Sequence, residues 1–444
     1  MRRVYFIAGL VMMLITWFFL WKFYPKNLGM IWGLGLLYIL DLYLYWVYQR
    51  TVWSRGRIRG ILFTVLFWTP LLMIMLMAAV SLVYPYQNWP VGIRNYYAGF
   101  ILSGYVAKMI PLLIQLLTDL WLIIRKLFRY RRRRRETKEG PVMKRSEFLK
   151  KAGLAAGGLV FGTMTLGMFK WVYEFKIHRI PVSLKDLPRS FDGFRIVQIS
   201  DIHLGSWVSR NEFREAVRQI NSLKPDIIVF TGDLVNYSTD EAYRFADLLE
   251  EVGNGAEVYA ILGNHDYGDY KRWPSAEEKE RNFRDLVLFY EQLGWTLLRN
   301  ENRLLRRGED TIALLGVENW GSMKRFQRFG DLGKAMAGTE EQPVRILLSH
   351  DPSHWRYKVL DHPVKVDLTL SGHTHGAQFG IEIPGVRWSP SKYIYKFWAG
   401  LYSRQNRENG EDQYLYVNRG LGAIGYPGRV GILPEITLLE LSKS

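Results

Sequence analysis

The stretch Lys224-Pro225-Asp226-Ile227-Ile228-Val229-Phe230-Thr231-Gly232-Asp233-Leu234-Val235-Asn236 decides how the larger part of the chain is read. Pro225 forbids a helix running into it. The apolar run Ile227–Phe230 is too short for a helix, rich in β-branched residues and bounded by Pro and Gly, so it reads as a buried strand. Gly232 turns the chain, and Asp233 and Asn236 stand just past the strand. The same arrangement recurs four times. Arg195–Ile199 leads to Asp201-Ile202-His203, and Val258–Leu262 to Gly263-Asn264-His265-Asp266. Val344–Leu348 leads to Ser349-His350-Asp351, and Val366–Leu370 to Gly372-His373-Thr374-His375-Gly376. Helical patterns lie between them, at Arg210–Leu223, Glu241–Glu251 and Glu277–Leu293. Strands alternating with helices predict an α/β domain, whose ligands gather outside the carboxyl ends of the strands.

The histidines are concentrated in these turns. Of eight in the chain, five (His203, His265, His350, His373, His375) follow a strand, and the first three have an Asp or Asn within two residues. One such residue is commonly structural; five in one pattern point to metal. The chain has no cysteine, which removes disulfides, thiolate zinc sites and Cys nucleophiles together. Carboxylate, imidazole and amide oxygen without thiolate suit Mn, Fe, Zn or Mg rather than Cu(I) or an iron–sulfur cluster. A carboxylate shared by two divalent cations about 3.5–4 Å apart supports in-line phosphoryl displacement.

The ordered motifs D-x-H, GDxxN, GNHD, H and GHTH, spread over about Phe191–Leu441, resemble the calcineurin-like metallophosphoesterase superfamily. The likeness is strongest to its membrane-anchored bacterial branch with GHTHGGQ, which here reads Gly372-His373-Thr374-His375-Gly376-Ala377-Gln378. The resemblance implies two mixed β-sheets packed face to face and flanked by helices, holding two divalent metal ions. One metal is implied on Asp201, His203, Asp233 and His375. The other is implied on Asp233, Asn264, His350 and His373, with Asp233 bridging. His265 is implied at the substrate, stabilising phosphoryl oxygens or protonating the leaving oxygen, with Asp266 orienting it. The attacking base is implied to be metal-bound hydroxide.

The remaining residues read differently. The chain has 444 residues, 59 Lys+Arg and 42 Asp+Glu, a net charge of +17 that alone suggests polyanionic partners. Residues 1–173 hold 24 of the basic and 5 of the acidic residues, or +19; the other 271 hold 35 and 37, or −2. The basic half is also the apolar half. Runs at about Val4–Tyr24, Leu28–Tyr48, Gly60–Tyr84 and Tyr96–Ile124 are each long enough to cross roughly 30 Å of hydrocarbon, and Ala152–Val172 is a shorter fifth. The expected organisation is a four-helix transmembrane domain (1–124), a basic cytoplasmic linker (125–151), a fifth span or signal-like anchor (152–173) and the catalytic domain (174–444). Arg2, Arg3, Arg50, Arg55, Arg57, Arg59 and thirteen Lys/Arg between Arg125 and Lys151 fall in alternate loops. By the positive-inside rule these loops and the N-terminus are cytoplasmic. Five spans then place the catalytic domain on the outer face of a bacterial cytoplasmic membrane; without the fifth it would be cytoplasmic. Lys144-Arg145-Ser146-Glu147-Phe148-Leu149-Lys150 resembles a twin-arginine export signal, with Ser146 in place of the second Arg.

Other signals carry less. Arg131–Arg135 reads as a lipid-headgroup stripe, and no nucleic-acid module accompanies it. Gly420-Leu421-Gly422-Ala423-Ile424-Gly425 matches a dinucleotide motif, but Pro427 and Gly428 forbid the helix it needs, so no nucleotide cofactor is expected. Asp41, Lys108 and Asp119 are charges inside apolar runs, with Asp119 in reach of Arg125 or Lys126. Arg429 is a candidate substrate-binding residue. His178, His354 and His362 read as structural. The aromatic stretch Tyr393–Tyr402 reads as core or cleft rim, with an apolar or membrane-borne substrate as the alternative. The expected activity is a membrane-anchored, two-metal phosphoesterase acting on a phosphodiester or pyrophosphate, with an envelope or lipid-linked substrate. The alternatives are a nucleotide-sugar-lipid pyrophosphatase, and a transporter or receptor with a regulatory metal domain.

Overall fold

The computed structural model describes residues 29–84, 86–130, 145–405 and 412–444, with the single positions Val11, Leu14, Trp17, Phe18, Trp21 and Lys22. Arg2, Arg3, Lys26, most of the first apolar run, the Arg131–Arg135 stripe and Lys144 lie outside them. The chain divides into two compact units, with the boundary between Thr165 and Leu166.

The first unit is helical: α1 (Met30–Trp53), α2 (Arg57–Val83), α3 (Val91–Tyr130) and α4 (Arg145–Phe169), the last reaching past the boundary. Among the described residues three stretches are long and apolar enough to cross a membrane: Arg57–Ser81, Val91–Phe128 and Glu147–Tyr173. They are the third, fourth and fifth runs of the sequence. The second run forms α1, whose apolar character is diluted by Tyr38, Asp41, Tyr43, Tyr45, Trp46 and Tyr48.

Each charge inside the apolar runs has a polar partner, and two of the three form an ion pair. Lys108 Nζ lies 2.8 Å from Asp41 Oδ1, and the Tyr105 hydroxyl donates to Oδ2 at 3.3 Å. Lys108 also lies 4.2 Å from the centre of the Phe67 ring. Asp119 accepts from the Tyr43 hydroxyl at 2.5 Å and from Gln115 Nε2 at 2.7 Å. The partners expected for Asp119, Arg125 and Lys126, are replaced by two neutral donors on its own and a neighbouring helix.

The second unit is a four-layer α/β/β/α sandwich. β1 (Lys176–Leu184), β2 (Arg195–Ile199), β3 (Ile227–Phe230), β4 (Glu257–Ala260), β5 (Thr296–Leu297) and β14 (Glu435–Lys443) form one sheet in the order β1-β14-β2-β3-β4-β5. β6 (Glu301–Arg307), β7 (Asp310–Gly316), β8 (Arg345–Leu348), β9 (Leu368–Ser371), β12 (Gly400–Gln405) and β13 (Asp412–Val417) form the other, ordered β12-β13-β9-β8-β7-β6. Both are mixed: β2-β3-β4 and β7-β8-β9 are parallel, while β14 runs antiparallel to β2 and β6 to β7. Ile196, Ile227, Val229 and Ile261 of the first sheet meet Leu314, Ile346, Leu348 and Leu370 of the second in one buried cluster. That cluster makes the sheets face to face. The outer side of the first sheet is covered by α5 (Arg210–Ser222) and α6 (Ala276–Gln292), through Phe213, Val217, Ile220, Leu286 and Phe289. The periodic pattern at Glu241–Glu251 forms two short helices instead of one, Asp240–Tyr243 and Ala246–Glu250.

Parallel strands point their carboxyl ends the same way. β2, β3 and β4 therefore deliver their following turns to one edge of the first sheet, and β8 and β9 deliver theirs beside it. The candidate site straddles that seam.

The paired charges yield a stability test. Breaking a buried ion pair at one partner leaves an uncompensated charge, at a cost of about 3–5 kcal/mol. Lys108→Met should therefore lower the thermal midpoint of the detergent-solubilised chain strongly, and Lys108→Met with Asp41→Leu should recover most of the loss. Equal midpoints for all three proteins would show that the pair is not held as described.

Candidate metal centre

Each strand end supplies a ligand type, and backbone geometry aims it. Asp201 and His203 follow β2, Asp233 follows β3, Asn264 follows β4, His350 follows β8, and His373 and His375 follow β9. Five of these non-glycine residues adopt positive φ: Asp201 49°, His203 47°, Asp233 61°, His373 71° and His375 50°. The left-handed region costs an L-residue roughly 1–2 kcal/mol, and strain of this kind gathers at functional sites. The neighbouring glycines are required by close approach. A Cβ on Gly263 would overlap Asp233 Oδ1, and one on Gly372 would overlap Ser200 Oγ and Asp201 Oδ2.

The side chains form two groups of potential metal ligands. Asp201, His203 and His375 offer ligand atoms within 4.8 Å of one another, and so do Asp233, His350 and His373. Asp233 joins the groups: its Oδ2 lies 3.2 Å from His350 Nε2 and 3.6 Å from His203 Nε2. His375 Nε2 is 3.1 Å from Asp201 Oδ1 and 3.1 Å from His203 Nε2. His350, His203, Asp201 and Asp233 are all buried.

The hydrogen bonds test whether cations fit. His350 Nδ1 faces the Thr231 carbonyl at 2.7 Å and His203 Nδ1 faces the Val235 carbonyl at 3.2 Å. A carbonyl only accepts, so each Nδ1 carries a proton, and in its neutral form each imidazole would turn an Nε2 lone pair toward Asp233. Lone pairs aimed at a buried carboxylate repel unless positive charge lies between them. Asn264 adds a second sign. Its Nδ2 donates to the Tyr270 hydroxyl at 2.8 Å, while its buried Oδ1 has no hydrogen-bond partner. A buried amide oxygen left this way is costly, and it is a hard ligand suited to a divalent cation. The residues fit two cations.

The electrostatics agree. Burial pushes the Asp233 carboxyl up, but the surrounding His350 and His265 outweigh it and hold Asp233 well below the usual carboxylate range. Burial lowers His350, yet Asp233 outweighs this and raises it to about 10. Burial dominates for His203, which is held well below its ordinary value. A proton on His350 substitutes for the positive charge that a cation would bring.

His265 stands apart from the ligand groups. Its Nδ1 lies 2.8 Å from the Asn236 carbonyl, its backbone N–H donates to Asp233 Oδ1 at 2.8 Å, and its ring stacks on Tyr270 at 4.0 Å. Nε2 is thereby left for the cleft. The expectation that Asp266 orients His265 is corrected. Asp266 accepts backbone N–H groups from Asp233 and Leu234 at 2.9 Å, from Gly263 at 2.8 Å and from Val235 at 3.4 Å. A buried carboxylate takes the N–H groups closest to it, and these belong to the two ligand turns. Asn236, from GDxxN, orients His265 instead.

Arg429 is also displaced from its expected place. It is fully buried, and Nη2 donates to the carbonyls of Gly420 at 3.0 Å and Gly422 at 2.6 Å, 3.4 Å from His375 Nδ1. Burial lowers it to about 9. It braces the 420–425 loop, whose Leu421 and Gly422 N–H groups donate to Ser200 and Asp201 carbonyls at 2.9 and 2.8 Å. Among the described residues the basic side chain that lines the cleft is Arg325. The cleft encloses about 550 Å³, bounded by Asp233, Asn264, His265, His373 and His375 and by Tyr237, Tyr270, Phe326, Phe379, Tyr395 and Tyr426. Tyr395, from the aromatic stretch read as core or cleft rim, lines the cleft, and sequence reading gives Asp351 no role. The Tyr395 hydroxyl lies 2.7 Å and Asp351 Oδ2 3.5 Å from His373 Nε2; Asp351 directly follows His350, the one signal available for it. His354, buried against Ser349 Oγ at 2.9 Å, and His362, whose Nδ1 accepts from Val364 N–H at 3.1 Å, lie away from the ligand groups.

Comparison with known proteins agrees with this architecture. Residues 194–377 match the family model described as "Calcineurin-like phosphoesterase". Residues 26–171 match "Probable Calcineurin-like phosphoesterase, transmembrane domain". The uncharacterized metallophosphoesterase YkuE of Bacillus subtilis is 30% identical over 319 residues, 68% of this chain and 99% of that protein. A transmembrane protein with metallophosphoesterase domain from Danio rerio is 32% identical over 278 residues, 61% of this chain and 58% of that one. An uncharacterized metallophosphoesterase of Helicobacter pylori is 27% identical, with 64% and 68% covered. The matched region thus spans a little over half the length of the zebrafish relative.

The two aspartate and histidine roles separate by mutation. His265→Ala should leave both metal equivalents bound and the thermal midpoint nearly unchanged. Asp266→Ala strands four backbone N–H groups, each at about 1–3 kcal/mol, and should lose metal and stability together. If Asp266→Ala kept its metals and matched His265→Ala, as measured by elemental analysis and calorimetry, the histidine-orienting role would be restored.

Proposed function

We propose, from the premise that this chain belongs to the calcineurin-like phosphoesterases that carry a transmembrane domain, that its strand-end cluster is a dinuclear centre hydrolysing a phosphodiester or pyrophosphate. The chain is a membrane-associated metallophosphoesterase. The observation that carries the finer reading is the Asp233 carboxylate, set 3.2 and 3.6 Å from imidazoles of two separate ligand groups.

In this reading Asp201, His203, Asp233 and His375 hold one divalent cation, and Asp233, Asn264, His350 and His373 the other. Such a pair supplies Lewis-acid activation of water and neutralises charge on phosphoryl oxygens. The protein's own residues do the rest. The Val235 and Thr231 carbonyls fix the tautomers of His203 and His350. Asp266 locks the 233–235 and 263 turns against each other, which sets the spacing of the two ligand groups. His265, held by Asn236 and Tyr270, presents Nε2 to the cleft, where it stabilises a phosphoryl oxygen or protonates the leaving oxygen. Arg325 faces the same space and attracts the anionic substrate. The aromatic walls suit a substrate with an apolar portion, and the tether supports an envelope or lipid-linked phosphoester; a nucleotide-sugar lipid is the second candidate.

The purified full chain supplied with Mn²⁺ should hydrolyse a chromogenic phosphodiester and lose that activity to chelator. Asp233→Asn should lower turnover by about 10³ or more, and His265→Ala by about 10²–10³ with Mn²⁺ still bound. Undiminished activity in Asp233→Asn would sink the shared-carboxylate mechanism.

The charge asymmetry supports a cytoplasmic N-terminus and a catalytic unit on the outer face of a bacterial cytoplasmic membrane. Alkaline phosphatase fused after Val172 should then be active and a green fluorescent protein fusion dark. The reverse pattern would place the site in the cytoplasm.

A further inference from the structure

β10 (Ile381–Ile383) and β11 (Val386–Trp388) form a separate hairpin with the pairs Ile381↔Trp388, Glu382↔Arg387 and Ile383↔Val386. Successive side chains alternate between its faces. One face is occupied by the domain itself. Glu382 pairs with buried Arg419 at 2.5 Å, and the Arg387 guanidinium lies over the Trp398 ring at 5.4 Å. The other face presents Ile381, Ile383, Val386 and Trp388, which are 50, 59, 49 and 36% exposed. Tyr393 and Ile394, five and six residues past Trp388, are 72 and 65% exposed. From 383 to 405 the chain contains Arg387, Lys392, Lys396 and Arg404 and not one Asp or Glu. An exposed apolar hairpin face calls for a partner, and the basic, acid-free stretch of sequence that carries it matches an anionic one.

The hairpin and the end of a candidate span bond to the same short loop. Phe379, two residues before β10, packs its ring on Tyr426 at 5.0 Å, and Gly380 N–H donates to the Val430 carbonyl at 2.9 Å. In the same short loop Arg429 N–H donates to the carbonyl of Gly167 at 3.1 Å. Gly167 lies in the last turn of α4, within the stretch Glu147–Tyr173. Its neighbours Leu166 and Phe169 are about half exposed. The 426–430 loop therefore touches both the apolar helix end and the residues that enter the hairpin.

We propose that the apolar face of β10–β11, with Tyr393 and Ile394, is seated in the headgroup–acyl boundary of an anionic phospholipid bilayer, with Lys392 and Lys396 at the phosphates. Phe379 and Tyr395, which line the cleft, adjoin this surface on either side. The cleft mouth then opens at the lipid boundary, and a membrane-borne phosphoester reaches the metal ligands without leaving it. That consequence rests on the phosphoesterase reading; the surface does not.

The absence of cysteine makes single-site labelling possible. In full-length protein reconstituted into phosphatidylglycerol/phosphatidylcholine vesicles, a nitroxide on Ile383→Cys should be several-fold more accessible to oxygen than to a water-soluble nickel chelate. A nitroxide on Leu304→Cys, an exposed apolar site on the edge strand β6, should show the opposite preference. Equal water accessibility at both sites would overturn the proposal. Ile383→Asp combined with Val386→Asp should cut hydrolysis of a vesicle-borne lipid phosphodiester at least tenfold, and leave a soluble chromogenic diester within twofold. Equal loss on both substrates would also overturn it, by showing the hairpin to be structural. A wild-type chain that hydrolysed neither would defeat the phosphoesterase reading alone, and the labels would still decide the surface.

Discussion

The second unit is organised around one buried carboxylate. Asp233 is 2% exposed and faces two imidazole nitrogens from different strands. An ionised carboxylate in that position is tolerable only with positive charge beside it. It is held by its own backbone, which donates to Asp266, and by His265 N–H, which donates to its Oδ1. Asp266 in turn accepts from both the 233–235 turn and Gly263. One buried carboxylate thus sets the position of the other, and through it the spacing between ligands borne on two different sheets.

This dependence explains why the backbone is strained where it is. Asp201, His203, Asp233, His373 and His375 all sit in the left-handed region without being glycine. Two sheets packed through Ile196, Val229, Ile346 and Leu370 leave their strand ends at a fixed separation. Side chains as short as Asp and His reach a common centre from that separation only if the backbone turns sharply inward. The glycines beside them stay small so that those carboxylates have room. Packing, strain and ligand geometry are therefore one constraint rather than three.

Much of this was legible in the sequence because each ligand is written next to the strand that carries it. The five runs ending in Asp, Asn or His became β2, β3, β4, β8 and β9, with boundaries shifted by at most about two residues, and the resemblance implied the opposed sheets. Relations between residues far apart in sequence were not legible. Adjacency suggested that Asp266 serves His265, whereas the fold brings Asp266 against the 233–235 turn and brings Asn236 to His265. Arg429 follows a loop near the cleft, yet burial turns it behind His375; the cleft's arginine, Arg325, precedes Phe326 in a segment with no strand or motif to mark it. Tyr270 carries no signal in the sequence and Tyr395 only that of an aromatic stretch at the core or cleft rim; the fold alone puts their hydroxyls on Asn264 and His373. Single charges in the apolar runs announced a cost, while the identity of the compensating partner, Asp41 for Lys108, depends on how the helices pack.

The whole-chain charge is subject to the same limit. A net +17 invites a polyanionic partner, but the residues from 174 onward carry −2. Within that near-neutral unit the charge is again uneven, since residues 383–405 hold four cations and no acid. Glu382, just before them, is turned inward to Arg419, which also pairs with Glu435. An acid left facing outward there would repel an anionic surface, and the ion pair with Arg419 removes it. The cleft itself adds only Arg325 to its histidines. Lys392 and Lys396 lie on the segment proposed to face a bilayer, whereas the cleft gathers carboxylates and imidazoles that fit cations.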